Sequence, residues 1–230
     1  MTAVLAFDTA CDACSAAVWR DGEIVAREFA AMARGQSEAL MPMIARVMEA
    51  ARLEFADLAA VGVTVGPGAF TGLRIGLAAA RAIALASSKP AIGVTTLEAL
   101  AAAAPGTGAL LVAIDAKRDD LYLQLFAGAV PAGEPVAALP EAAALPDGAF
   151  RLAGDGAARL FTALPEAARA RATLLAEPRL PDAAVIARLA AARLAAIAQG
   201  GGAIASPRPL YLRPPDAKLP QDGGRVRVKS

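Results

Sequence analysis

Residues Val61 to Ala86, VGVTVGPGAFTGLRIGLAAARAIALA, constrain this chain more than any other stretch. Val61-Gly62-Val63-Thr64-Val65 is a β-branched run that suits a buried strand. From Gly72 to Ala86, Leu73, Leu77 and Ala80 recur at helical spacing. Between them lies Gly66-Pro67-Gly68-Ala69-Phe70-Thr71-Gly72, a glycine-rich turn from strand into helix. Glycine admits positive φ and lets another backbone or an anion come close, and free N–H groups at a helix start favour a negative ligand. The spacing excludes two common nucleotide loops. A Walker loop ends in Gly-Lys-Ser/Thr, whereas Leu73 and Arg74 follow Gly72. A dinucleotide fingerprint needs a third glycine where Thr71 stands. Two readings remain: a tight turn with a close helix contact, or a docking face. Gly72, Gly76, Ala80 and Ala84 fall four apart and form a smooth stripe on which a partner helix can pack.

Composition narrows the chemistry. Histidine is absent, which excludes a Ser-His-Asp triad, a histidine general base and an HExxH metal site. The net charge of +1 sets no global field toward nucleic acid or membrane. Apolar stretches near Ile75 and Val185 are interrupted by Arg81, Arg188 and Arg193, short of the roughly 20 residues a spanning helix needs. No basic, cleavage-like segment precedes Val4, so a cytoplasmic location is expected. Cys11 and Cys14 form a lone C-x-x-C between strand-like runs, and plain burial is the expectation for both.

Three strands open the chain: Ala3 to Phe7 ending in Asp8-Thr9, Ser15 to Arg20, and Glu23 to Phe29, with Asp21-Gly22 as hairpin turn. A helix follows from Ser37 to Arg52, with Leu40, Met41, Ile44, Val47, Met48 and Ala51 as its apolar stripe. That stripe suits a core and is wide enough to serve a partner. After the glycine turn and its helix come a strand, Ala91 to Val94, and a helix, Thr95 to Ala104. The order βββαβαβα is ribonuclease-H-like, a mixed sheet flanked by helices. Pro105 to Gly108 reads as a linker. Beyond it, Leu110 to Ile114 ending in Asp115 repeats the apolar-strand-then-Asp opening, and Leu121 to Phe126 follows as a strand. The fold expected is α/β: two ribonuclease-H-like subdomains, residues 1–104 and 109–230, the second reduced. Phe150 to Gly156 reads as strand and turn, and Pro181 to Gln199 as an alanine-rich helix ended by Gly200-Gly201-Gly202. The tail from Pro207 carries Arg208, Arg213, Lys218, Arg225, Arg227 and Lys229 against Asp216 and Asp222. It is expected to be mobile, either a solvated end or a modest contact to RNA or a partner.

The duplicated layout with Asp8-Thr9 at the first strand end resembles the actin/Hsp70/sugar-kinase superfamily. Within it, LAFDTA (5–10) with Cys14-Ser15, Leu40-Met41-Pro42, GPGAFTGLRIG (66–76), Ala113-Ile114-Asp115-Ala116 and Tyr211-Leu212-Arg213 together resemble the TsaB (YeaZ) family. The resemblance implies a non-catalytic subunit in formation of N6-threonylcarbamoyladenosine (t6A) in tRNAs that read codons beginning with A. It also implies pairing with a TsaD-like catalytic subunit through a helical interface, a platform for the TsaE-like ATPase, and a homodimer when alone. tRNA is then contacted through the complex. The smooth glycine face and the broad apolar stripe of the first helix give the expected interface as Leu40, Ile44, Val47, Met48, Gly72, Arg74, Gly76 and Ala80. The superfamily's nucleotide positions map to Asp8, Thr9, Asp115, Gly154 and Gly156 as a vestigial site, with no cofactor of the chain's own and ATP bound weakly or at the complex interface. No catalytic or metal-binding residue is expected. The competing readings are a small ATPase or kinase using Asp8 and Asp115, and a glycoprotease-type peptidase.

Overall fold

The computed structural model of this chain describes residues 1–200 and 204–213. Strands β1 (Ala3–Asp8), β2 (Ala13–Arg20) and β3 (Glu23–Ala31) form an antiparallel meander. The β2–β3 turn is the expected one, with Asp21 and Gly22 both at positive φ. β4 (Ala60–Gly66) and β5 (Ala91–Thr95) add in parallel, giving the order β3-β2-β1-β4-β5. Helices α1 (Gln36–Ala51) and α2 (Phe70–Ser87) cover one face through Leu40, Ile44, Val47, Leu77 and Ala80. α2, at 18 residues, is long and apolar enough to cross a membrane. Yet it carries Arg74 and Arg81 and buries Leu73, Leu77, Ala80 and Ile83 in the core.

Helix α3 (Thr96–Ala103) starts at a capping box: the Thr95 hydroxyl accepts from the Glu98 N–H, and the Glu98 carboxylate accepts from the Thr95 N–H. Its Leu97 and Leu100 pack against the second sheet. That sheet joins β6 (Ala109–Asp115), β7 (Leu121–Ala127), β8 (Val130–Pro131), β9 (Val136–Ala138), β10 (Phe150–Ala153) and β11 (Ala172–Leu174). β6 alternates its side chains. Leu110, Val112 and Ile114 meet α3, while Leu111 and Ala113 meet α4 (Ala157–Ala163) and α5 (Glu166–Arg169).

The two sheets share one topology. β6 pairs antiparallel with β7 and parallel with β10, as β1 does with β2 and β4, and β11 follows β10 in parallel as β5 follows β4. The reduction is local. The nine-residue β3 has only the two-residue β8 and three-residue β9 as counterparts, and the 18-residue α2 has the seven-residue α4.

Helix α6 (Ala183–Ala198) comes from the second half of the sequence and packs on the first sheet. Ile186, Ala187, Ala190 and Ala191 meet Val4, Ala6, Ile92 and Val94 on the face opposite α1 and α2. Small residues suit this contact: a Cβ on Gly62 would come 3.0 Å from the Ala190 Cβ. Gly200, at φ 99°, follows its end. Gly201 and Gly202 lie outside the described residues.

Candidate functional site

The glycine stretch of α2 encloses the β1 turn. A Cβ on Gly68 would meet the Ala10 carbonyl at 2.3 Å, one on Gly72 the Thr9 carbonyl at 2.0 Å, and one on Gly76 the Thr9 Oγ1 at 2.8 Å. The Thr9 hydroxyl donates to the Gly72 carbonyl (2.7 Å), and the Ala69 N–H donates to the Ala10 carbonyl (2.7 Å). Of the two readings of this motif, the close contact holds, and the contact is with the chain's own backbone. The docking stripe needs correction. Leu40, Ile44, Val47, Met48, Gly72, Gly76 and Ala80 are all buried in the chain's own fold. A stripe of small residues fits a sheet and its turn as well as it fits another helix. Arg74 alone of the expected interface residues is exposed.

Asp8 is fully buried at the end of β1. Its Oδ1 accepts from the Thr64 hydroxyl (2.5 Å) and the Ala10 N–H (3.1 Å), while Oδ2 has no hydrogen-bond partner among the described residues. Burial pushes its pKa up to about 7 against the lowering effect of the Thr64 bond. The equivalent Asp115 lies partly exposed. Its Oδ1 accepts from the Lys117 N–H (2.8 Å) and stands 3.6 Å from the Arg159 guanidinium.

Gly154 and Gly156 also make close backbone contacts of their own. A Cβ on Gly154, at φ 102°, would come 2.1 Å from the Ala113 carbonyl, and one on Gly156 would come 3.0 Å from the Asp115 nitrogen. Their N–H groups donate to the Pro178 and Ala113 carbonyls. Gly154-Asp155-Gly156 is the counterpart of Gly66-Pro67-Gly68, the turn after the parallel strand. The G-x-G spacing repeated after two short apolar strands was the available clue. Asp155 replaces Pro67 and accepts from the Asp115 N–H (2.9 Å), and burial raises its pKa.

Between the halves lies a cleft of about 1120 Å³, floored by Asp12, Asp115, Lys117 and Asp155. Asp8 does not line it, so Asp8 and Asp115 do not face one gap. The gap between the two turns is bridged by Lys117, whose ammonium lies 2.8 Å from Asp12 and 4.0 Å from Asp155. On the outer wall Arg27 forks onto Asp182, with Nε 2.9 Å from Oδ2. Lys117 and Asp12 were not singled out from sequence, since nothing local marks a pair 105 residues apart. Cys11 and Cys14 are both free and buried, as expected, and burial raises the Cys14 thiol to about 11.

The expectation of a mobile tail from Pro207 is corrected for residues 207–213. Residues 204–213 lie as a strap across the first half and onto the second. The Leu210 N–H donates to the Val65 carbonyl (2.7 Å), Arg81 donates to the Pro207 carbonyl (2.8 Å), and Arg213 pairs with Asp120 (3.1 Å). Lys218, Arg225, Arg227 and Lys229 lie outside the described residues, as do Asp216 and Asp222.

This arrangement has known relatives. A family model described as TsaD: tRNA N6-adenosine threonylcarbamoyltransferase matches residues 28–142. YeaZ from Pseudomonas aeruginosa superposes with a TM-score of 0.78 at 28% identity, covering 92% of this chain and 100% of that one. The tRNA threonylcarbamoyladenosine biosynthesis protein TsaB of Escherichia coli K12 is 38% identical over 122 residues, 52% of each chain. The chain belongs to the TsaB family. The alignment with the E. coli TsaB spans about half of that protein's length, whereas an uncharacterised Mycobacterium tuberculosis protein is 35% identical over 95% of both chains. TsaB similarity and the duplicated sheet agree: two actin-like halves face each other across a cleft.

Proposed function

We propose that this chain is a non-catalytic scaffold subunit for t6A formation, acting beside a TsaD-like catalytic subunit and a TsaE-like ATPase in the cytoplasm. The observation that carries the reading is the outward surface of α1 and α2. Their inward stripes fill the core, yet Met41 remains 48% and Leu85 83% exposed, and Ala45, Ala78 and Ala82 are exposed beside them. Large apolar side chains and alanines grouped on two adjacent helices are what a helical partner covers. The partner face is thus the opposite side of the same two helices from the one the sequence indicated. In isolation the same surface pairs with a second copy.

The cleft supports a subordinate role. Lys117 is already paired with Asp12 between the two turns, and Asp8 is buried away from the cleft. ATP therefore binds weakly, or only once a partner rearranges the site. tRNA is held mainly by the partner, since this chain carries a net charge of only +1.

Co-purification with the TsaD-like protein tests the reading. An Ala78→Arg/Leu85→Asp variant should fold, should be monomeric, and should lose partner binding and t6A formation at least tenfold. Wild-type pairing by this variant would refute the face. Turnover of Mg-ATP by the isolated chain would refute the non-catalytic role.

A further inference from the structure

One end of the α1–α2 face is distinguished by charge and by exposed aromatic rings. The sequence has no acidic residue between Asp57 and Glu98, and none between Asp182 and Asp216. The fold lays these two runs together, because the strap of residues 204–213 crosses β4 and α2. Arg74, Arg81 and Arg208 therefore stand exposed on elements that carry no carboxylate. Arg213, farther along, is already paired with Asp120.

At the start of α2 this surface has a built tip. Phe70 and Tyr211 lie with ring centroids 5.4 Å apart at 32°. The Arg74 guanidinium sits 3.7 Å over the Phe70 ring, and its Nε donates to the Tyr211 hydroxyl at 3.4 Å. Phe70 is nevertheless 48% and Tyr211 43% exposed. Rings held in place by a cation and by each other have little rotamer freedom left to lose on binding. Tyr and Arg are also the residue types that carry most interface energy.

We propose that Phe70, Arg74 and Tyr211 form a clasp that anchors a protein partner whose contact surface is acidic and offers an apolar groove. The strap, by bringing Tyr211 to α2, is what builds it. This rests on the reading of the α1–α2 face as the partner surface and adds the partner's chemistry. The clasp continues into the stripe of Met41, Ala45, Ala78, Ala82 and Leu85, which apolar side chains can cover and RNA phosphates cannot. Arg74, Arg81 and Arg208 supply the charge that steers an acidic surface onto it.

The test is titration calorimetry of the full chain against the TsaD-like protein at several salt concentrations. Phe70→Ala and Tyr211→Ala should each weaken pairing roughly 30-fold. Wild-type affinity should fall as salt rises, and Arg74→Glu should bind most weakly with a flattened salt dependence. Arg74→Lys, which keeps the charge and loses the planar stack, should fall between. All four variants lie at three surface-exposed positions, and thermal melts verify that each folds. If Ala78→Arg abolishes pairing while every clasp variant binds like wild type, the clasp is refuted and the face survives. If Ala78→Arg also pairs normally, the face itself is refuted. Loss of tRNA binding with protein pairing intact would make the cluster an RNA contact and overturn the proposal.

Discussion

Asp8 closes β1 and Asp115 closes β6, each with an antiparallel strand on one flank and a parallel strand on the other. In both halves a G-x-G turn after the parallel strand presses against the end of the first strand. Around Asp8 the 18-residue α2 folds over that turn, and α6 begins at Ala183, whose N–H donates to Ser15, the register partner of Asp8. The acid is left fully buried, and its Oδ2 has no hydrogen-bond partner among the described residues. Around Asp115 the seven-residue α4 covers less, and the carboxylate stays 32% exposed beside Arg159 and Lys117. The turn alone therefore does not set the state of a strand-end acid; the helices that cover it do.

The comparison breaks most easily at the glycines. Gly72→Val and Gly154→Val each place a Cβ about 2 Å from a backbone carbonyl, and Gly154 also needs positive φ. Each should cost about 5 kcal/mol or more and leave little folded protein in denaturant melts. A tolerated Gly154→Val beside an unfolded Gly72→Val would show that the second half depends less on its glycine contact than the first.

Asp8 gives the next largest effect. Its native pKa of about 7 lies above its unfolded value near 3.8. The native state therefore holds a proton that the unfolded state releases, so this contribution is full below pH 4 and is lost as pH rises through 7. The change amounts to about 4 kcal/mol at most. Asp8→Asn keeps an oxygen for Thr64 and should flatten stability between pH 4 and 8. An unchanged pH profile would mean that Asp8 is not the acid of the pair with the raised pKa.

Much of this was legible in the chain. The continuous apolar run before Asp8, its repeat before Asp115 and the Asp21-Gly22 turn are local signals, and each marks a real element. The direction in which α2 faces was not legible. Gly72, Gly76 and Ala80 form the same smooth stripe whether a partner helix or the Thr9 carbonyl approaches, and Thr9 is 63 residues away from Gly72. Tyr211 was visible as a motif but not as a neighbour of Arg74, since no periodicity reports a contact across 137 residues. The short β8, β9 and β11 fell below any pattern, because two or three residues cannot show alternation.

The smallest effect concerns the bridge between the halves. The Lys117 and Asp12 side chains are 54% and 43% exposed, so Lys117→Ala should change stability by less than about 1 kcal/mol. Its value is as a probe of the cleft: calorimetry with Mg-ADP should show tighter binding in Lys117→Ala if the ammonium occupies phosphate space. No change in affinity would show that the gap is closed by something other than this bridge.

The return of α6 to the first sheet has a consequence for how the chain is made. Val4, Ala6, Ile92 and Val94 are synthesised early, but the helix that covers them begins at Ala183. At bacterial rates of about 5–20 residues per second, the nascent sheet leaves the ribosome with one greasy side bare for on the order of ten seconds. Ribosome-bound chains stalled before residue 183 should therefore be held by chaperones, and release should come only when α6 emerges. The N-terminal half is thus an unfinished module until α6 has been made.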